Sequence, residues 1–296
     1  MNVPYASCKA GYDPAARIEH MDREGVDATF LYPSLGLVLG GIEDPSFATA
    51  CYRAYNRWLA DFCAGQPSRL YGVAMIPMQS VEHAIAELRF ARRELGMRAG
   101  FIRPNPYLGR LLHDRAYDPL WAEAQELDMA ISVHSGSASD MPTVGMDRYG
   151  DGIMTRHIVS HALEAMLAMV SFVFCGVCER FPRLRLGFFE GGAGWVAGWL
   201  DRMDRHYEKV ISDDDLSLKP SEIFRRQCWI AYDPGEKGVP HIAEYVGFDR
   251  FMWATDFPHP DGVPFGARLV QNNDTLSNER KSRLLAKNAM AFYGLI

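Results

Sequence analysis

His134 closes the run Met129-Ala-Ile-Ser-Val-His, Glu190 closes Leu184-Arg-Leu-Gly-Phe-Phe-Glu, and Asp256 closes Arg250-Phe-Met-Trp-Ala-Thr-Asp. An imidazole and two carboxylates at the ends of apolar runs form a donor set suited to a divalent transition ion, Zn²⁺ in the first place and Mn²⁺ as the alternative. Such an ion, with an open position, activates water or binds a substrate carboxylate or phenolate. Glu190 and Asp256 are therefore the candidate catalytic groups, and His134, Asp256 and Glu190 the candidate metal ligands. Taken singly, each has an ordinary alternative as a loop or helix-capping group.

Further polar residues sit beside these endings. Arg103 closes Arg98-Ala-Gly-Phe-Ile-Arg and could grip a substrate carboxylate with two parallel bonds or take part in an ordinary salt bridge. In Asp256-Phe-Pro-His-Pro-Asp261 two prolines stiffen a short polar loop, which turns His259 toward a pocket or packs it within the loop. Gly191-Gly-Ala-Gly-Trp195 would let the backbone approach a ligand, and Trp195 either stacks on a planar substrate or packs under the turn. His157 and His161 lie four apart on one helix face, but Ile158 occupies the position a zinc-protease helix gives to Glu, which excludes that chemistry. His161 is read as facing the mouth, and His157 as a core or loop contact. Cys175-Gly-Val-Cys178 has redox spacing but sits late in an apolar helix, where packing is the expected role.

The elements that must position these residues follow from hydropathy. Seven short apolar runs, at 26–32, 70–77, 98–103, 129–134, 184–190, 228–232 and 250–256, read as strands buried on both faces. Helices are expected between them, at 45–63, 81–95, 118–127, 155–179, 194–210 and 278–293; Ser80 would cap the second and Gly96 end it. Alternation of this kind gives an α/β fold, a TIM-like (β/α) barrel forming one domain over 1–296, with its active site at the strand C-termini. The long Gly- and Ser-rich connection 135–156 is read as functional. An eight-stranded barrel needs one strand more. Residues 1–20 carry no apolar run to supply it, with Pro4, Gly11 and Pro14 breaking the segment, so a first strand is expected to be missing before residue 21.

Composition bounds the partners. A net charge of −6 with no basic stripe excludes a nucleic-acid binder. Six scattered cysteines point to reduced thiols in the cytoplasm, residues 1–20 do not read as a signal peptide, and the apolar stretch 165–177 is too short to cross a bilayer.

The ordered motifs Gly176-Val-Cys-Glu-Arg-Phe-Pro-Arg-Leu184, Glu190-Gly-Gly-Ala-Gly-Trp195, Ala254-Thr-Asp-Phe-Pro-His259 and Leu285-Ala-Lys-Asn-Ala-Met-Ala-Phe-Tyr-Gly294 resemble the amidohydrolase-related decarboxylases. These include aminocarboxymuconate-semialdehyde decarboxylase and γ-resorcylate decarboxylase. The resemblance runs from Met21-Asp-Arg-Glu-Gly-Val-Asp27 to the C-terminus. It implies a metal-dependent lyase or hydrolase, most nearly a decarboxylase, acting on a small carboxylated aromatic or conjugated substrate and assembled as a homodimer. His134 and Asp256 match the family's strand-five and strand-eight metal ligands. Its first-strand H-x-H or E-x-H pair matches nothing here, and Glu190 stands where a His is usual. A misassigned or truncated start accounts for the first departure. The reading from a different class is a non-catalytic or inactive paralogue that binds a ligand or a partner subunit.

Overall fold

The computed structural model describes residues 8–136, 140–150, 152–209, 216–259 and 262–296. Eight strand segments follow in chain order: β1 Thr29–Leu31, β2 Leu70–Gly72, β3 Ala74–Met75, β4 Ala99–Ile102, β5 Ala130–His134, β6 Leu186–Phe189, β7 Cys228–Tyr232 and β8 Phe251–Trp253. All pairings between them are parallel. β1 pairs with β2, and β3 to β8 form a six-stranded sheet in sequential order. The expected run 70–77 supplies both β2 and β3, so the seven runs account for all eight segments. Among the described residues no pairing joins β8 to β1, and the barrel is open there.

Period-two alternation sorts the strand residues into two apolar clusters. Val73, Met75, Ala99, Phe101, Ala130, Phe189, Trp229, Ala231 and Met252 pack together in the barrel interior. Their neighbours Ala74, Ile102, Ile131, Val133, Leu186, Phe188, Ile230 and Phe251 face the surrounding helices. Continuing the inward set one step past Ser132 gives His134, and two steps past Met252 gives Asp256. Glu190 follows the inward Phe189 and would point outward, but its φ of 58° turns the chain.

The expected helices form with modest boundary shifts. Pro45–Ala64 is capped by Asp44 and Val81–Arg93 by Ser80. The long helix Ile153–Met169 passes into a π-helical turn at Val170–Phe174; Gly176, at φ 80°, then starts Val177–Arg180. The run Ile153–Phe174 is long and apolar enough to cross a bilayer by those two measures, yet its inner side packs on the barrel. Residue 210 of the 194–210 expectation, residues 137–139 and 151 of the 135–156 connection, and Pro260 and Asp261 lie outside the described residues.

One expectation is corrected outright. Pro14 does not break its segment but occupies the first turn of a helix, Pro14–Glu24, whose leading N–H groups are received by the Asp13 side chain. Proline suits that position because its fixed φ is helical and its missing N–H would have no partner there. Helices Pro220–Gln227 and Val239–Val246 were likewise unanticipated.

Candidate active site

Glu190 is the centre of the site. Its Oε2 lies 3.0 Å from Nε2 of His134 and 3.6 Å from Nε2 of His161, while its Oε1 lies 3.9 Å from Nε2 of His157 and 3.8 Å from Nδ1 of His259. Nδ1 of His259 is also 2.8 Å from Oδ1 of Asp256. Three strand ends, the start of one helix and one loop thus converge on a single carboxylate. Both Glu190 and Asp256 adopt left-handed backbone, at φ 58° and 49°. For a residue with a Cβ that conformation costs about 1–2 kcal/mol, and it persists where the surroundings impose it, often at functional sites.

The turn after Glu190 is held from both sides. A Cβ on Gly191 would lie 3.0 Å from the carbonyl oxygen of His161, so only glycine lets the turn sit this close to the long helix. Across the mouth, the Glu236 carboxylate accepts hydrogen bonds from the N–H groups of Ala193 and Gly194 and from that of Asp233. The imidazole of His134 is oriented by its neighbour, Nδ1 donating to the Ser135 carbonyl at 2.8 Å.

Charge distribution follows from burial and these contacts. Burial pushes the Glu190 carboxyl up, but His134, His157 and His161 outweigh it and hold the group far below the usual carboxylate range. Burial likewise pulls His134 down, and Glu190 with the Ser135 carbonyl more than reverses this, leaving it raised. For His161 burial wins, and its pKa is lowered. His259 is pushed up to about 10 by its hydrogen bond to Asp256 and by Glu190.

These groups line a cavity of about 1400 Å³ that extends from the strand ends along the open side between β8 and β1. Arg17, from the helix sequence reasoning passed over, reaches into this cavity while only 7% exposed. Its guanidinium lies over the Phe257 ring at 5.0 Å, and one NH donates weakly to the Phe257 carbonyl at 3.4 Å. Its Nε has no hydrogen-bond partner, no carboxylate pairs with it among the described residues, and burial draws its pKa down to about 10.

Of the residues singled out from sequence, His134, His161, Glu190, Asp256 and His259 are brought together, and His157 joins them rather than serving as a core contact. Two are not. The Arg103 side chain is buried under the neighbouring loops, bonded to Asn105 and to the carbonyls of Leu37 and Gly136, with Asp140 at 3.4 Å. Four of its five N–H groups are taken by these partners, and it lies outside the cavity. Trp195 donates its indole N–H to the Gly191 carbonyl and packs beneath the turn. The ring of Tyr32, 5.7 Å from that of His134, was missed; its hydroxyl is tied to Ser132 and Tyr293 inside the barrel.

Two compact groups of possible metal ligands share Glu190: Glu190, Asp256 and His259, and His157, His161 and Glu190, each with donor atoms within 4.8 Å of one another. The first combines two carboxylates with an imidazole, donors that fit Mn²⁺ or Zn²⁺. His134 stands outside both groups, in contact with Glu190.

A parallel α/β barrel with imidazoles and carboxylates converging at its strand C-termini defines a class of metal-site enzymes. The amidohydrolase family model Amidohydro_2 matches residues 9–295, and the chain belongs to that family. It is 27% identical over 289 residues to a 2-amino-3-carboxymuconate-6-semialdehyde decarboxylase of Dictyostelium discoideum, covering 96% of this chain and 77% of that one. A γ-resorcylate decarboxylase of Rhodococcus jostii is 31% identical, over 82% of this chain and 76% of the other. The fold matches an amidohydrolase of Mycobacterium avium subsp. paratuberculosis with a TM-score of 0.86 at 23% identity, covering 98% and 76% of the two chains. A 5-carboxyvanillate decarboxylase of Sphingomonas paucimobilis gives 0.81 at 21%, covering 99% and 87%.

Proposed function

We propose that this chain is a metal-dependent carboxy-lyase acting on a small carboxylated aromatic or conjugated molecule. The observation that carries the reading is the convergence of Glu190, Asp256 and His259 in a cavity that also holds the unpaired guanidinium of Arg17. Glu190, Asp256 and His259 would hold a divalent ion, Zn²⁺ or Mn²⁺, with His134 against the other oxygen of Glu190. When bound, that ion supplies positive charge to stabilise anionic groups of the substrate. A related dihydroxybenzoate decarboxylase of Polaromonas was crystallised with manganese, which supports Mn²⁺.

The chain's own groups divide the remaining work. Arg17 binds and orients a substrate carboxylate through charge-assisted hydrogen bonds, sheltered from water by Phe257. Glu190, kept ionised by its imidazoles, acts as ligand and acceptor rather than as a proton donor. Decarboxylation breaks the bond between ring or chain carbon and the carboxylate; carbon dioxide leaves and the electron pair stays on carbon, which then takes a proton. Asp256, paired with His259, is placed to relay that proton.

The test is a panel of aromatic carboxylates and lactones incubated with metal-loaded protein, following carbon dioxide release against ring opening. Carbon dioxide release that stops in Asp256→Asn supports the lyase reading. Ring opening alone would replace it with hydrolysis, and neither product would overturn it.

The outer face of the helix Ile153–Met169 bears on assembly. Leu163, 40% exposed, and Leu167, 51% exposed, lie four residues apart and form an apolar strip on that face. This strip supports the homodimer, because exposed apolar patches of this kind mark contact surfaces. Leu163→Glu with Leu167→Glu should convert the dimer to monomer in light scattering, and an unchanged mass would refute the assignment. Six free cysteines support a cytoplasmic location.

A further inference from the structure

We infer that His20, on the helix Pro14–Glu24, is a positioning residue for Asp256, acting through the ring of Phe257. The inference rests on the reading of Asp256 as a metal ligand. His20 itself does not line the cavity, so its effect on the site passes through its neighbour.

Asp256 stands in left-handed backbone at φ 49°, just past the end of β8 at Trp253. A residue with a Cβ keeps that conformation only where its surroundings hold it. Inside the turn, the His259 N–H donates to the Asp256 carbonyl at 2.8 Å and the Phe257 N–H to Oγ1 of Thr255 at 3.4 Å. Both bonds stay within residues 255–259, so neither fixes the turn against the rest of the barrel. The Phe257 ring does reach outside. It stacks on the imidazole of His20 with centroids 3.5 Å apart and planes 22° from parallel. Arg17, one turn earlier on the same helix, lies farther off, its guanidinium 5.0 Å from the ring centroid.

The helix is fixed firmly enough to act as a wall. Met21, 2% exposed, sets it in the core, Asp22 pairs with Arg69 at 2.8 Å, and the Glu24 carboxylate accepts the Phe265 N–H. Among the described residues β8 has no strand partner on the side of β1, and the helix supplies support that a neighbouring strand would otherwise give. Burial and the nearby Arg17 guanidinium hold the His20 imidazole below its ordinary pKa, so an uncharged ring meets Phe257. The contact is therefore one between flat faces, and a phenyl ring at position 20 would serve as well. Without a ring there, Phe257 turns into the vacated space, the strained turn relaxes, and the Asp256 carboxylate loses its aim toward His259 and Glu190.

The test is calorimetric titration of Mn²⁺ into the full chain, beside urea unfolding of the metal-free protein. His20→Ala keeps the helix, because alanine is the strongest helix former. It should raise the metal dissociation constant about tenfold, the lower end of the range for groups that hold a ligand from behind, with the urea midpoint unchanged. His20→Phe should restore the constant to within about twofold of wild type. Glu19→Ala, at an exposed position of the same helix, should leave it as it is. An unchanged constant in His20→Ala, with the wild type binding metal, overturns the inference and leaves the metal reading intact. So does a failure of phenylalanine to restore binding, or a fall in the urea midpoint that matches the loss of affinity. A wild type that binds no Mn²⁺ overturns both.

Discussion

Arg17 shows how one side chain trades stability for binding. A guanidinium held almost entirely out of water with one weak acceptor carries a desolvation cost that no counter-charge among the described residues offsets. Arg17→Met keeps the apolar stem and removes that cost, so the variant should unfold at a higher urea concentration than the wild type. With a carboxylated substrate its KM should rise by about 10- to 100-fold, the equivalent of about 1.5–3 kcal/mol for a charge-assisted contact, while metal content stays the same. A lower stability with an unchanged KM would show that the group is structural. Arg17 was hidden from sequence reasoning because Pro14 was taken as a breaker, whereas His134, Glu190 and Asp256 were legible as polar endings on buried strands. Arg103 had the same signature, and of its two readings the ordinary salt bridge, to Asp140, is the one that forms: a strand-end position sets where a side chain starts, while Leu37, Gly136 and Asp140 decide what it binds.

At the level of elements, the site depends on two carboxylates that hold backbone N–H groups. Glu236 gathers three backbone N–H groups and so fixes the turn that aims Glu190. Glu236→Ala leaves those donors to water and should cost about 1–2 kcal/mol at this half-buried position. Metal affinity should fall further than stability does, as read by titration calorimetry beside urea unfolding. Glu164, on the long helix, accepts the Val144 N–H at 2.6 Å and thereby ties down the connection after β5. Burial raises its pKa above 4.5. A carboxyl whose folded pKa is raised binds protons more readily folded than unfolded, so its charge opposes folding at neutral pH and the penalty fades as pH falls through the folded value. Glu164→Gln, which keeps the acceptor and removes the charge, should therefore melt higher than wild type at pH 7. The difference should shrink on acidification and vanish below about pH 4.5. The expected helices Pro45–Ala64 and Val81–Arg93 carry side-chain caps and run long enough to show amphipathic spacing; Pro220–Gln227 and Val239–Val246 were too short for a periodic signal to emerge.

Across the whole molecule, the C-terminus fills part of the barrel interior. Phe292 lies 5.7 Å from Phe189 and 5.6 Å from Trp229, and a Cβ on Gly187 would come within 2.8 Å of the Phe292 ring. Arg185 and Arg98, at the starts of β6 and β4, hold the carbonyls of Phe292 and Gly294 at 2.8 Å each. Tyr293 stacks on Phe30 of β1 and bonds through Tyr32 to Ser132 of β5. The terminal residues thus link the two-stranded and six-stranded sheets where β8 and β1 do not pair. This closure was not legible in the sequence, where 278–293 reads as one more surface helix, because nothing local marks its last aromatics as interior. Phe292→Ala would leave a ring-sized void among residues that cannot all relax into it, at a cost of about 3–5 kcal/mol. Urea unfolding of the metal-loaded protein should show that loss. Because Phe292 does not line the cavity that holds Glu190, the metal dissociation constant measured under native conditions should stay within about twofold, a change of less than 0.5 kcal/mol. A large loss of metal affinity would instead mean that the terminal plug sets the spacing of the strand ends across the full depth of the barrel.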